Sequence, residues 1–182
     1  MVKSKKDRLV SVLIPSLNTL GFLRDCVKAL KKSTKIPLEI LVLDLGDDGT
    51  YEWCIKNKIK VWKHTMPFYF AQSNNYLAEK ATGDVLLFLN SDTIPQLGFL
   101  DAMLGQIDTH GADIVGCLMV YPNNVVQHAG IKWKGFYPSW DDLPDHIGYE
   151  KPIDTKEVHK DYDVKAITGS CLLIKKHVFE AL

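Results

Sequence analysis

Gly83-Asp-Val-Leu-Leu-Phe-Leu-Asn-Ser-Asp92 runs from a helix stop, through five consecutive apolar residues, into a polar turn. A short apolar run bounded by turn residues reads as a strand buried on both faces. Such strands belong to parallel sheets covered by helices. The run also delivers a carboxylate, Asp92, just past the strand end. A carboxylate there suits a hard divalent cation, which takes oxygen ligands and shares them with phosphates. It equally suits the cap of a following helix.

The flanking sequence repeats the pattern. Val10-Ser-Val-Leu-Ile14 and Leu38 to Leu43 are further apolar strands, the first stopped by Pro15 and the second closing on Asp44. Leu23, Cys26, Val27 and Leu30 recur at helical spacing, with Lys28, Lys31 and Lys32 on the other face. Short helix and short strand patterns follow over Thr50 to Asn57 and Lys58 to Trp62. A second long helix is expected over Ala71 to Ala81, another from Pro95 onward, and a fifth strand over Asp113 to Val120. Strands alternating with helices at this pace predict an α/β fold with a mostly parallel central sheet and helices on both faces. Open sheets of this kind bind ligands beyond the carboxyl ends of their strands. Ser16 and Asn18, Asp44, and Asn90 with Asp92 follow three such ends.

After Tyr121 the texture changes. Val125 to Lys132 and Ala166 to Ile174 read as strands, the latter interrupted by Gly169 and Ser170, where a bulge or a close ligand is expected. Between them lies a long aromatic and acidic stretch containing Trp133, Tyr137, Trp140, Asp141, Asp142 and Asp145. A loop of that length is usually functional or disordered. Its aromatics suit sugar stacking or lid packing, and its acids a solvated surface. His128 reads either as a ligand to phosphate, sugar or metal, or as a hydrogen-bonded half-buried histidine. A helix begins at His177.

Composition narrows the function classes. The chain has 182 residues, with Lys plus Arg and Asp plus Glu both 22, so the formal charge is zero. Nucleic-acid binders carry a basic excess, so none is expected as a partner. Hydrophobic residues at 46% and charged residues at 24% are ordinary globular values. The four cysteines have no CxxC spacing, and no segment approaches the roughly 20 apolar residues of a membrane span. A cytoplasmic protein without a transmembrane segment is the expectation. No GxGxxG follows the first strand, which disfavours a dinucleotide oxidoreductase. No Gly-rich basic loop follows it either, which disfavours a nucleotidyltransferase.

Several segments together resemble the nucleotide-sugar glycosyltransferases of family 2, with the GT-A fold, in their rhamnosyltransferase-like branch. They are Val10-Ser-Val-Leu-Ile-Pro-Ser-Leu-Asn18, Leu41-Val-Leu-Asp44 with Asp47-Asp-Gly-Thr50, Asn75 with Ala81 and Gly83, Asn90-Ser-Asp92, Val126-Gln-His-Ala-Gly130, and Ile167-Thr-Gly-Ser-Cys-Leu-Leu-Ile174. The resemblance implies one domain over residues 1–182. Its nucleotide-sugar half would be 1–120 and its partial acceptor half 121–182. It implies metal-dependent, inverting transfer of a hexosyl group from a UDP, GDP or dTDP sugar to a saccharide acceptor, in polysaccharide biosynthesis. Pro15, Ser16, Asn18, Asp44, Asn75, Asn90, Ser91, Asp92 and Gly169 would bind the nucleotide sugar. Asp92 would hold Mn²⁺ or Mg²⁺ as part of a DxD-type motif, with His128 a further candidate ligand. Leu45 departs from the pattern and its loop is one residue shorter. Asn74 stands where many members have Arg, so a lysine elsewhere or the metal must balance the diphosphate. The general base is expected beyond Leu182, which reads as a truncated end. The alternative is a nucleotide-sugar-binding module without its own catalytic base.

Overall fold

A computed structural model describes residues 8–65, 68–133 and 144–182. In chain order the elements are β1 (Val10–Ser16), α1 (Leu20–Ser33), β2 (Leu38–Asp44), α2 (Thr50–Lys56), β3 (Lys60–Lys63), α3 (Phe70–Lys80), β4 (Val85–Leu89) and α4 (Phe99–His110). They continue with β5 (Ile114–Gly116), β6 (Met119–Val120), β7 (Val126–His128), β8 (Ile131–Lys132), β9 (Asp145–His146), a 3-10 turn at Lys156–His159, β10 (Cys171–Lys175) and α5 (Lys176–Phe179). The chain divides into two compact units, Met1–Ile114 with Gly169–Leu182, and Val115–Thr168.

The first unit is built on a sheet of order β3-β2-β1-β4-β10, with β5 at its edge. β1 pairs parallel with both β2 and β4, and β2 pairs parallel with β3. β10 runs antiparallel to β4, with Cys171 opposite Leu89 and Lys175 opposite Val85. Side-chain alternation puts Leu13, Leu41, Leu43, Leu86 and Phe88 in one cluster with Leu77 and Ala78 of α3. Val12, Ile14, Val42, Leu87 and Leu89 are buried as well, on the opposite face. Leu23, Cys26 and Leu30 of α1 and Leu100 and Leu104 of α4 are fully buried. All five residues of β4 are buried, each worth about 1.5–3 kcal/mol for a large aliphatic side chain. The continuous apolar run therefore stands where a central strand must.

In the second unit β6 pairs with β7 and β8 with β9, both antiparallel. Two strands expected from the sequence are broken here. Asp113 to Val120 divides at Cys117 and Leu118 into β5 and β6. Val125 to Lys132 divides at Ala129 and Gly130, where Gly130 adopts φ +110° and its carbonyl accepts from Ile147 N–H. The expected strand over Ala166 to Ile174 is confined to β10. Ser170, just before it, gives its carbonyl to Asn90 N–H. The sequence marks one boundary, at 120. The structure instead returns Gly169–Leu182 to the first unit, because β10 completes the sheet beside β4.

The edge of the sheet opposite the strand carboxyl ends is closed by one carboxylate. Glu39, 8% exposed, accepts from Ser11 Oγ and Lys60 Nζ, and from Thr82 N–H at 2.8 Å and Thr82 Oγ1 at 2.9 Å. Ser11 Oγ in turn accepts from Gly83 N–H at 2.9 Å. Burial alone would raise the Glu39 pKa; the bonds from Lys60, Ser11 and Thr82 outweigh it and hold it at about 2. A carboxyl with a depressed pKa stabilises the fold above its unfolded value and loses that contribution as pH falls through the folded one. Glu39→Ala should therefore lower the unfolding free energy by about 2 kcal/mol in urea titration at pH 7. The difference from wild type should shrink between pH 4.5 and 2, in step with protonation of Glu39.

Candidate functional site

Three loops leave the carboxyl ends of β1, β2 and β4, and side chains bind them to one another. Asn18 adopts φ 53°, a left-handed conformation that asparagine tolerates. Its Oδ1 accepts from Asp47 N–H at 3.0 Å, so the β1 loop holds the β2 loop. The approach is close enough that a Cβ on Gly46 would fall 2.2 Å from Asn18 Oδ1. Asp48 adds the second tie. Its Oδ2 accepts from Leu20 N–H at 2.7 Å and its Oδ1 from Thr50 N–H at 3.2 Å. Thr19, the residue before α1, makes no side-chain cap; Asp48 caps that helix from another loop. Burial would raise the Asp48 pKa, but the Leu20 and Thr50 bonds lower it.

The β4 loop is tied in by hydroxyls. Ser16 Oγ lies 2.8 Å from Thr19 Oγ1, which lies 2.9 Å from Ser91 Oγ. Beneath it, Cys26 Sγ–H points to Asn90 O at 3.7 Å. Burial first, and Asp92 after it, push the Cys26 thiol up to about 11, while Thr93 opposes them; it is a packing group at neutral pH. Asn90 N–H donates to Ser170 O at 2.9 Å and Asn90 Nδ2 to Ser170 Oγ at 3.4 Å. Asp92, next but one, is exposed.

Asp44 ends β2 fully buried. Its Oδ1 accepts from Gly46 N–H at 3.0 Å, while its Oδ2 has no hydrogen-bond partner. A buried acceptor left unmet costs about 1–3 kcal/mol, so Oδ2 is primed for an N–H donor. Lys63, the last residue of β3, puts Nζ 3.8 Å from that oxygen and 3.2 Å from Asp47 Oδ1. The Asp47 bond raises the Lys63 pKa; burial opposes it, and the fields of Asp44, Asp47 and Glu52 add to the rise. Lys63 is thus a cation at the edge of the loop cluster. Its only positional signal in the sequence is its place near a strand end.

Ser16, Asn18, Asp44, Asn90, Ser91 and Asp92 therefore share one edge of the sheet, with Pro15 in β1 beneath them. Gly169 joins them through Ser170 and Asn90. Asn75 does not. It is exposed on α3 and lines a groove of about 400 Å³ with Ala78, Glu79, Phe179, Glu180 and Leu182, and α5 starts beside Asp84 at the other edge of the sheet. His128, in the second unit, is 1% exposed and uses both ring nitrogens. Thr168 N–H donates to Nε2 at 3.3 Å, which places the proton on Nδ1 for the 3.0 Å bond to His146 Nδ1. Burial first, then His146, bring its pKa down to about 4. With both nitrogens engaged the ring has no lone pair to give a metal, so the expected ligand is a packing histidine. Among the described residues no group of three or more His, Cys, Asp or Glu forms a metal cage. A cation at Asp92 would need phosphate oxygens to complete its shell, which suits Mg²⁺ or Mn²⁺. Tyr137, Trp140, Asp141 and Asp142, with Lys134, lie outside the described residues; Asp145 is exposed in β9 and Trp133 half-buried. Thr19 and Lys63 are site-edge residues that sequence reading did not single out, and Asp48, quoted there within Asp47-Asp-Gly-Thr50, had no role assigned. Asp48 alone had a signal, because an acid just before a helix often caps, though here it caps a different helix.

The family model for glycosyl transferase family 2 matches residues 11–182. The O-antigen biosynthesis protein RfbC of Myxococcus xanthus is 31% identical over 188 residues, covering 95% of this chain but 14% of its own length. The glycosyltransferase GlyG of Streptococcus pneumoniae is 28% identical over 60% of this chain and 38% of its own length. The chain thus spans well under half the length of these relatives. Among solved structures, the mannosyltransferase PcManGT of Pyrobaculum calidifontis, in complex with GDP-Man and Mn²⁺, superposes with a TM-score of 0.66 at 15% identity, over 96% of this chain and 46% of that one. Staphylococcus aureus TarS in complex with UDP-GlcNAc gives 0.54 at 24% identity, over 61% and 34%. These likenesses show the fold, the GT-A arrangement of a mostly parallel sheet under helices. With the family model spanning nearly the whole length, the chain belongs to glycosyl transferase family 2.

Proposed function

We propose that this chain binds a nucleotide diphosphate sugar across the carboxyl ends of β2, β1 and β4 and transfers its sugar to a saccharide acceptor in polysaccharide biosynthesis. The observation that carries the reading is the gathering of Asp44, the Ser16–Asn18 loop and Asn90-Ser91-Asp92 on one sheet edge, with their loops bonded together. Asp44 Oδ2 accepts a nucleobase N–H, since it is a buried carboxylate oxygen left unmet at this edge. Pro15, Ser16 and Asn18 shape the loop under the ribose and phosphates. Asp92 holds the divalent cation, and Asn90 and Ser91 keep that carboxylate in place through Ser170 and Thr19. A bound Mn²⁺ or Mg²⁺ supplies charge that stabilises a departing diphosphate. Lys63, at the same rim, adds the cation that Asn74 does not provide. Positioning and electrostatic stabilisation supply the rate enhancement, and the outcome at the anomeric carbon is inversion.

Thermal unfolding against UDP, GDP, dTDP and their sugars, with and without Mn²⁺, tests this directly. A ligand at 100 times its dissociation constant adds about 2.7 kcal/mol of stability. The expected result is a shift selective for one nucleotide and dependent on Mn²⁺. Absence of any shift would refute the reading, and binding without sugar transfer would reduce it to a nucleotide-sugar-binding module. Asp92→Ala should abolish the metal dependence, while Asp44→Ala should weaken binding about tenfold and leave the metal dependence intact. Asp48→Ala should cost about 1 kcal/mol of stability through the lost cap. It should also weaken nucleotide binding, because the β1 and β2 loops lose one of their ties.

A further inference from the structure

Phe70 opens α3 and is 51% exposed, although its ring sits in the first unit beside residues of the loop cluster. The ring is packed against Gly169 so closely that a Cβ there would lie 2.8 Å from Phe70 Cε1 and Cζ. Gly169 leads into Ser170, whose carbonyl and hydroxyl meet Asn90. One residue beyond Asn90 and Ser91 stands Asp92. The start of α3 is pinned on both sides of the ring. Gln72 Oε1 accepts from Tyr69 N–H at 3.0 Å, and Asn74, 2% exposed, donates Nδ2–H to Phe70 O at 2.9 Å. A buried carboxamide thus fixes the backbone of a half-exposed aromatic residue. The exposed part of that ring is not an accident of a loose turn.

The strand order says what the ring can meet. Asp44 ends β2, Asn90 follows β4, and Gly169 precedes β10, so the three lie in the order β2, β1, β4, β10 along one edge. At about 4.8 Å per strand, the β10 end of that edge, where Gly169 meets the ring, lies roughly 14 Å from the β2 end that carries Asp44. A nucleobase at Asp44 leaves the Gly169 end of the edge to another part of the ligand. A ligand with its base at Asp44 and its diphosphate at Asp92 carries its sugar onward, toward β10. A pyranose ring has one face of C–H bonds, which suits the face of an aromatic ring, and its hydroxyls remain for polar partners. We propose that Phe70 is the platform for the sugar ring of the nucleotide sugar, and that Gly169 is glycine so that the ring can lie there. The proposal rests on the function given above and adds a residue that discriminates the sugar from the nucleotide.

The test compares binding of the nucleoside diphosphate with binding of its sugar conjugate, in Mn²⁺, by calorimetry. The nucleotide is the one selected in the UDP, GDP and dTDP panel. For wild type the sugar should tighten binding. In Phe70→Ala the affinity for the diphosphate alone should be unchanged, while the sugar conjugate should lose about fivefold. Phe70→Tyr should restore it, and Gly169→Ala should reproduce the loss by displacing the ring. Thermal midpoints of all variants in the absence of ligand report whether the fold persists. Equal loss for diphosphate and conjugate in Phe70→Ala, or no loss for either, would overturn the proposal. So would a wild-type protein whose affinity gains nothing from the sugar, although the functional reading would then stand. Failure of wild type to bind any nucleotide would overturn both.

Discussion

The carboxylate of Asp48 is the interaction on which the candidate site depends most. Parallel strands are joined by no hairpins at the carboxyl edge, so beyond single backbone bonds such as Leu45 N–H to Ser16 O the loops that leave β1, β2 and β4 have no ladder between them. Something must fix them, or the groups they carry would have no common geometry. Asp48 reaches from the β2 loop to the first N–H of α1, and Asn18 reaches back from the β1 loop to Asp47. The hydroxyls of Ser16, Thr19 and Ser91 continue the link to the β4 loop. Polar residues that looked like ligand contacts therefore have a prior task. They make one rigid edge from three separate turns.

The two edges of the sheet are closed by different means, and the difference matches their roles. At the amino ends of β1 and β4, Glu39 is satisfied by four donors from Ser11, Lys60 and Thr82 and needs nothing further. At the carboxyl end of β2, Asp44 is more deeply buried but half-satisfied, with Oδ2 unmet and Lys63 nearby. A fold retains an incompletely paired buried carboxylate at a cost, and such exceptions to polar satisfaction mark functional sites more often than structural ones. The contrast between Glu39 and Asp44 within one sheet supports the reading of the second as a ligand group.

The fold was largely legible because its core signals are local. Five consecutive apolar residues before Asn90 read as a central strand, and the periodicity of Leu23, Cys26, Val27 and Leu30 as an amphipathic helix. The strand ends followed at once, and with them Ser16, Asn18, Asp44, Asn90 and Asp92. What was not legible depended on contacts distant in sequence. Nothing in the order of residues says that Asp48 caps α1, that Lys63 comes to Asp44, or that Gly169 meets Phe70. Asn75 was misplaced because an asparagine on a helix carries no sign of which edge it faces. The two readings of His128 could not be separated, because its partners, His146 and Thr168, are 18 and 40 residues away. The antiparallel return of β10 was hidden for the same reason.

That return has a consequence for how the chain folds. β4 is flanked by β1, which precedes it, and by β10, which is separated from it by the whole of the second unit. During synthesis the five apolar residues of β4 emerge long before Cys171–Lys175 exists to cover their other side. An open apolar strand edge is a template for pairing with another chain. Late, non-local pairing of this kind also slows folding, because a long loop must close before the contact is gained. The strand that delivers Asp92 therefore keeps an open, aggregation-exposed edge until β10 arrives to pair with it.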